Sequence, residues 1–192
     1  KCGAWSQGPA FLQTLALLKD FDLGALDTAG AEFVHLVVEA QKLAFADREA
    51  FYGDPDFTDV PMEVLLGDAY NDERRKLITA TASHALRPGT IPGHAGWVDH
   101  DAHGRAGESY GSNLGVGEPT VARLGSIGGD TGHVDVIDQA GNMVSATPSA
   151  GWLQSSPAVP GLGFPMGTRG QMFWLKPGLP NSLEPRKRPR TT

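Results

Sequence analysis

Apolar residues in the first part of the chain recur at the three- and four-residue spacing of amphipathic helices. A first helix is predicted to begin at Gly8-Pro9, where proline is tolerated in the first turn, and to end near Phe21. Its apolar positions are Phe11, Leu12, Leu15 and Leu18. A longer helix is predicted to follow Thr28 and to run to about Phe51.

Two shorter helices are predicted next. Asp59 and Pro61 have the residue types of a cap and a first turn for a helix that ends at Leu66. A polar, charged helix is predicted over residues 68–79. Residues 87–130 show no sustained periodicity, which predicts a long exposed loop of the kind that is usually functional or disordered.

The pattern changes to a strand-like alternation after Thr131. Strands are predicted over residues 133–137 and 143–147, joined by a turn over residues 138–142, so that the three segments form a β-hairpin. Glycine and proline dominate residues 161–167, but this run lacks the spacing of a dinucleotide-binding loop and no helix follows it. The sequence therefore excludes that class of cofactor site.

Composition places the chain among folded, globular proteins. Its 192 residues include 40% hydrophobic and 20% charged residues, enough for one domain or for one domain and a fragment of another. No apolar run approaches the roughly 18 residues of a membrane-spanning helix. The single cysteine, Cys2, excludes an internal disulfide and leaves the compartment open.

Charge is distributed unevenly around a net value of -6. Residues 1–130 are strongly acidic and residues 131–192 are basic, so the sign changes at Thr131. Much of the positive charge lies in residues 186–190 (RKRPR). Since no aromatic residues are interleaved there and the rest of the chain is acidic, a solvated or anion-binding loop is favoured over a nucleic-acid site.

Three histidines in the long loop, His94, His100 and His103, are candidates for metal binding. The loop contains no cysteine, and histidines in a glycine-rich stretch more often face solvent. We therefore expect no metal ion and no organic cofactor.

Thr131 is the principal candidate for chemistry. It follows Gly128-Gly129-Asp130 and begins the strand-like segment. A threonine hydroxyl needs a base, which its own α-amine supplies once the chain is cut before it. Two glycines would allow the strained backbone geometry of such a cut. The same residues also fit an ordinary turn that leads into a strand.

Five separate motifs resemble, in the same order, those of the γ-glutamyltransferase (γ-glutamyltranspeptidase) family. They are residues 43–48 (LAFADR), 53–57 (GDPDF), 129–131 (GDT), 138–144 (DQAGNMV) and 187–189 (KRP). The resemblance covers essentially the whole chain. It implies an α+β, N-terminal-nucleophile hydrolase-like fold, a four-layer αββα sandwich of which this chain would form a part.

The resemblance also implies an inactive precursor that cleaves itself between Asp130 and Thr131. Residues 1–130 would be the C-terminal part of the large subunit, and residues 131–192 the N-terminal part of the small subunit. The family's Gly-Gly oxyanion hole and an arginine that binds the donor carboxylate would lie outside these residues. We therefore expect an interior segment of a larger enzyme, inactive on its own.

Individual roles follow from the resemblance. Thr131 would be the nucleophile that accepts the acyl group, and Ser149 would support it by a hydrogen bond, although Ser149 also fits a plain turn. Thr191 and Thr192 stand where the family has paired serines that hold the donor's α-carboxylate. His133 follows the nucleophile as in the family and is expected to be structural.

One departure concerns the donor. The family motif for the donor's α-amino group ends in an acidic residue, whereas residues 169–174 read RGQMFW, and Gly151 replaces a polar residue used for the same purpose. A buried ammonium without a counter-charge is costly. An apolar or anionic acyl group would suit Arg169, Phe173 and Trp174 better.

Three hypotheses about function are therefore open. The first is transfer or hydrolysis of a γ-glutamyl group, as in glutathione metabolism, with water, an amino acid or a peptide as acceptor. The second is an acylase- or amidohydrolase-like relative with another amide donor. The third is a non-catalytic structural or binding module. The remaining parts of the same enzyme are expected as partners, in a periplasmic or secreted location by resemblance, with a cytoplasmic one open.

Overall fold

The computed structural model describes residues 3–98, 133–147, 160–162 and 169–190. The chain divides into two compact units, Lys1–Arg105 with Phe173–Thr192, and Ala106–Met172. In the first unit the α-helices are α1 Gly8–Leu18, α2 Ala31–Phe51, α3 Met62–Leu66 and α4 Asp68–Arg75. In the second unit β1 Val134–Ile137 and β2 Met143–Ala146 precede a short 3-10 helix, Arg169–Met172.

The helices begin close to the predicted residues, with two corrections. Asp59 does not cap α3, because Pro61 occupies the N-cap position and no side chain bonds to the helix there. The fourth helix ends at Arg75 and does not reach Thr79. Its last turn tightens, since the N–H groups of the residues that follow donate to carbonyls three positions back.

The apolar residues whose spacing predicts α1 do not form most of its buried face. Phe11, Leu12 and Leu15 are exposed, and the helix buries a face of small and polar residues. These buried residues are Pro9, Ala10, Gln13, Thr14, Leu17 and Leu18. The helix packs against α2, where Ala40, Leu43 and Ala44 are fully buried. Small side chains let the two helices approach closely.

A buried polar network joins α1, α2 and α4 at Asp47. This carboxylate is fully buried and accepts hydrogen bonds from Gln13 Nε2 (2.6 Å), Arg74 Nη2 (3.1 Å) and the Gly89 N–H (2.7 Å). Burial raises the pKa of Asp47, and the charge of Arg74 opposes that rise. A polar residue such as Gln13 can therefore occupy the core, because its amide has a charged acceptor.

The C-terminal end of α2 is held by an apolar cluster that also includes α3 and the loop after α4. Its buried members are Ala10, Ala50, Phe51, Tyr52, Leu65 and Ile91. This cluster fixes the position of the residues that follow α2. No helix in the described part of the chain has both the length and the apolarity needed to span a membrane.

Glu39 anchors the segment after α4 to the middle of α2. Its carboxylate is buried and accepts hydrogen bonds from Lys42 Nζ (2.5 Å), the Ser83 N–H (3.1 Å) and Arg87 Nη2 (2.6 Å). Burial by itself raises the pKa of Glu39, but these donors outweigh it and lower the pKa from 4.5 to about 2.

Acid should therefore weaken this unit as the pH falls from 4.5 to about 2, the interval between the unfolded and folded pKa of Glu39. Between about pH 7 and about pH 3 the loss should be about 2 kcal/mol. Urea unfolding at these two pH values measures it. The Glu39→Gln variant should lose this part of the pH dependence, and an unchanged dependence in the variant would contradict the assignment.

The two strands of the hairpin begin and end within one residue of the predicted positions. Their antiparallel register pairs Val134 with Ala146 and Val136 with Val144. The Asp138 carboxylate closes the turn by accepting the backbone N–H groups of Ala140 and Asn142, and Gly141 between them adopts a φ of +83°. Apolar side chains on both faces of this hairpin are exposed among the described residues.

Candidate functional site

Residues 187–190 fold back onto the end of α2 and the loop after it. This brings together two motifs, 53–57 and 187–189, that lie more than a hundred positions apart in the sequence. We call the contact region the junction, with residues 48–57 on one side and residues 187–190 on the other. Both sides belong to the first unit.

The Asp54 carboxylate binds both the backbone and the side chain of Arg188. Its buried Oδ2 accepts from the Arg188 backbone N–H at 2.8 Å and from Nε at 3.0 Å, while Oδ1 accepts from Nη2. Such a two-point bond fixes orientation as well as distance. The Arg188 guanidinium holds the pKa of Asp54 well below its usual range, and Asp54 in turn raises the pKa of Arg188.

The Arg188 guanidinium has two further contacts. It lies over the indole ring of Trp5, 4.3 Å from the ring centroid. Its Nη2 also donates to the Asp56 carboxylate at 3.0 Å, although Asp56 is largely exposed. The stack on Trp5 orients a guanidinium whose side chain is itself partly exposed, whereas the contact with Asp56 is made at the surface.

Arg190 binds the C-terminal end of α2. Its Nη1 donates to the carbonyls of Arg48 (3.0 Å) and Glu49 (3.1 Å), and its Nη2 donates to the Glu49 carboxylate at 3.1 Å. Carbonyls in the last turn of a helix favour a cation nearby, and here Arg190 adds to the hydrogen bond that the Arg48 carbonyl accepts from the Tyr52 backbone N–H. The Arg190 backbone N–H donates to Asn181 Oδ1 at 3.1 Å, so the backbone is held as well.

The remaining contacts of the junction are tightly packed. Lys187 is buried, donates to Glu184 at 2.8 Å and lies 5.5 Å from the centre of the Phe57 ring. Gly53 lies so close to the backbone of Pro180 that a Cβ there would be 2.3 Å from the Pro180 carbonyl oxygen. Glycine is therefore required at this approach.

The expectation of a solvated or anion-binding loop over residues 186–190 is consequently wrong for three of its cations. Lys187, Arg188 and Arg190 bind acidic side chains and carbonyls of the chain itself. Asp54 lies in the motif 53–57 and Glu49 in α2, but no local pattern links either of them to these cations. The opposite charges of the motifs 53–57 and 187–189 were the available signal.

The segment that leads into the junction packs through Trp174. The backbone N–H of Trp174 donates to the Asn181 carbonyl, and the backbone N–H of Leu183 donates to the Trp174 carbonyl, each at 2.9 Å. The Trp174 ring meets Trp97 edge to face, with centroids 5.3 Å apart. Trp174, which the sequence suggested as suitable for an acyl group, therefore has a packing role in this unit.

Most of the predicted site residues lie outside the described part of the chain. They are Asp130, Thr131, Ser149, Thr191 and Thr192, and Gly151 lies outside it too. Their roles stay predictions. Arg169 is described: it begins the short 3-10 helix and is half-buried.

His133 lies at the base of the hairpin. Its Nδ1 is 2.8 Å from Thr147 Oγ1, and its Nε2 is 3.0 Å from Asp135 Oδ2. Both ring nitrogens are thus engaged by neighbouring side chains, which supports the structural role expected for this histidine.

Metal binding finds no support among the residues that the structure describes, where no three His, Cys, Asp or Glu side chains are grouped to hold an ion. His94 lies 3.9 Å from the exposed carboxylate of Asp59. His100 and His103 fall outside the described ranges.

The order of the five motifs and the contact between two of them are features of one protein family. Residues 1–192 match the family model described as Gamma-glutamyltranspeptidase, and the chain therefore belongs to this family. The Acylase ACY 1 proenzyme of Pseudomonas sp. (strain V22) is 33% identical over 184 residues, covering 95% of this chain and 27% of that protein. The Glutathione hydrolase proenzyme of Bacillus subtilis subsp. natto is 31% identical over 185 residues, covering 96% and 29%.

The chain is also similar to solved structures. LmbA2991T421A is 51% identical with a TM-score of 0.76, covering all of this chain and 30% of that one. The cephalosporin acylase from Bacillus halodurans is 29% identical with a TM-score of 0.60, covering 96% and 27%. The chain thus spans less than a third of each of these relatives. Family and neighbours point to γ-glutamyltranspeptidase- and acylase-type N-terminal-nucleophile hydrolases.

Proposed function

We propose that the full-length protein transfers or hydrolyses the acyl group of an amide through a threonine acyl-enzyme. A precursor cleaves itself between Asp130 and Thr131, which frees the α-amine of Thr131. With that amine as base, Thr131 Oγ attacks the amide carbonyl and the amine product leaves. Water or an acceptor amine then releases the acyl group. The proposal requires no metal ion and no organic cofactor.

We propose a four-layer αββα sandwich as the complete fold, with residues 1–130 in the large subunit and residues 131–192 in the small one. The hairpin supports this proposal. An isolated two-stranded hairpin is marginally stable in water, and apolar residues on both faces suit a position within larger, covered sheets.

The observation that carries the proposed function is the junction. Arg188 and Arg190 belong to the proposed small subunit, and Asp54 and Glu49 belong to the proposed large one. Their hydrogen bonds would keep the two pieces associated after the chain is cut, as a two-subunit enzyme requires. Arg190 immediately precedes Thr191, the first of the two hydroxyls proposed to bind the donor's carboxylate.

A second candidate, an acylase-like activity on donors without an α-ammonium, is favoured by the acidic residues within 131–192, the part of the proposed small subunit that this chain contains. After Asp130 the sequence contains three carboxylates, Asp135, Asp138 and Glu184, and each is bonded to a nearby side chain. A γ-glutamyl ammonium would find no uncommitted counter-charge among them. An anionic acyl group that lacks the ammonium, such as glutaryl, fits this charge pattern and Arg169 better.

A matched pair of donors tests the proposal. The p-nitroanilides of γ-glutamate and of glutarate differ in the α-ammonium alone. We expect the full-length protein to favour the glutaryl amide in kcat/KM by on the order of 10-fold, since an unpaired ammonium is costly to bury. Denaturing mass spectrometry should find the acyl group on the piece that begins with Thr131.

The opposite preference would assign the protein to the γ-glutamyl-specific branch. Absence of both turnover and acyl adduct with either amide would contradict the proposed function.

A further inference from the structure

We propose that Asp54 is a positioning residue for the donor-binding hydroxyls. It holds Arg188 in place, and through Arg188 it fixes the chain that leads into Thr191 and Thr192. The inference rests on the proposed function, in which those two threonines hold the donor's carboxylate. Asp54 would act on the donor through this segment and not by direct contact.

The segment is held on both sides of Pro189. Asp54 binds both the backbone N–H and the guanidinium of Arg188, and the backbone and guanidinium of Arg190 are bound to Asn181 and the end of α2. Pro189 stands between them with its φ angle locked by the ring. Because consecutive Cα atoms are about 3.8 Å apart, fixing Arg190 restricts the position of the next residue.

Burial distinguishes Asp54 from its neighbour Asp56. Both carboxylates contact the same Arg188 nitrogen, but the Asp54 side chain is 1% exposed and that of Asp56 is 76% exposed. An exposed ion pair contributes little, whereas the buried Asp54 carboxylate receives three hydrogen bonds from Arg188 and is costly to leave without them. Asp54 therefore controls the position of Arg188, and Asp56 supplies a matched control.

Hydrogen exchange in the full-length protein tests the positioning directly. Asp54→Asn keeps the shape of the side chain but removes its charge and one acceptor oxygen. We expect the backbone amides of residues 188 and 190–192 to exchange at least about 10-fold faster in Asp54→Asn, because the segment opens more often. Exchange in Asp56→Asn should match the wild type.

Kinetics with two amides test the link to the donor. Glutaryl p-nitroanilide has a terminal carboxylate, and butyryl p-nitroanilide lacks it. Asp54→Asn should raise KM for the glutaryl amide at least about fivefold with little change in kcat, since the lost contact is made equally in the ground and transition states. KM for the butyryl amide should not change, an outcome that a general structural defect would not produce.

Arg188→Lys provides a second variant if Asp54→Asn does not fold. It keeps the charge but loses the two-point bond, and it should shift exchange and KM in the same direction by a smaller factor. Unchanged exchange, or an equal rise in KM for both amides, would overturn the inference. A wild type that turns over neither amide, with the exchange difference present, would refute the proposed function and leave the positioning by Asp54 intact.

Discussion

Replacing Thr131 with alanine is expected to leave the full-length protein as one uncut chain without measurable amide turnover. The same hydroxyl is proposed to attack the preceding peptide bond and later the donor, so both steps should fail together. Removal of the nucleophile from a serine protease lowers kcat by roughly 10⁶-fold, and we expect a loss of that order. Release of p-nitroaniline from the glutaryl amide measures it.

Thr131→Ser is the matched control for this prediction. Serine keeps the hydroxyl and the α-amine, so cleavage and measurable turnover should both survive. Substantial turnover by the alanine variant would remove Thr131 from the mechanism. Cleavage of the alanine variant at the same bond would show that another group cuts the chain.

Replacing Arg74 with alanine is expected to destabilise the protein by about 3–5 kcal/mol, the cost of leaving a buried charge without its partner. Arg74 and Asp47 are both buried. Arg74 donates to Asp47 through Nε (3.3 Å) and Nη2 (3.1 Å), and its Nη2 also reaches the backbone carbonyls of Leu43 and Arg87. Its loss would raise the pKa of Asp47 further and leave these carbonyls short of a donor.

Urea unfolding checks the effect of Arg74→Ala, with Lys76→Ala as the control. Lys76, the residue that follows α4, forms an ion pair with Glu73, but both side chains are exposed. Its replacement should change the free energy of unfolding by no more than about 0.5 kcal/mol. Combining Arg74→Ala with Asp47→Asn should recover part of the loss, and equal effects of the Arg74 and Lys76 variants would contradict the account.

The existence of the helices and of the hairpin followed from local patterns. Periodicity placed α2 and the two strands within a few residues, because turn residues such as Gly53 and Asp138 mark their ends. The buried face of α1 did not follow. Gln13 is buried because Asp47, thirty-four residues away, accepts its amide hydrogen, and a local pattern cannot show such a partner.

The junction was likewise hidden from local analysis. A run of cations such as residues 186–190 is normally solvated, and opposite charge alone does not show which distant acidic residues it contacts. The acidic partners of Arg188 and Arg190 lie more than 130 positions earlier in the chain. Tertiary folding decides which acidic residues these two arginines meet.

The masses of the pieces of purified full-length wild-type protein test the central claim most directly. The account predicts two fragments that meet between Asp130 and Thr131, with threonine at the N-terminus of the smaller one. An active protein that is a single uncut chain, or one cut at a different bond, would contradict it, because the hydroxyl of Thr131 would then lack its own α-amine as base.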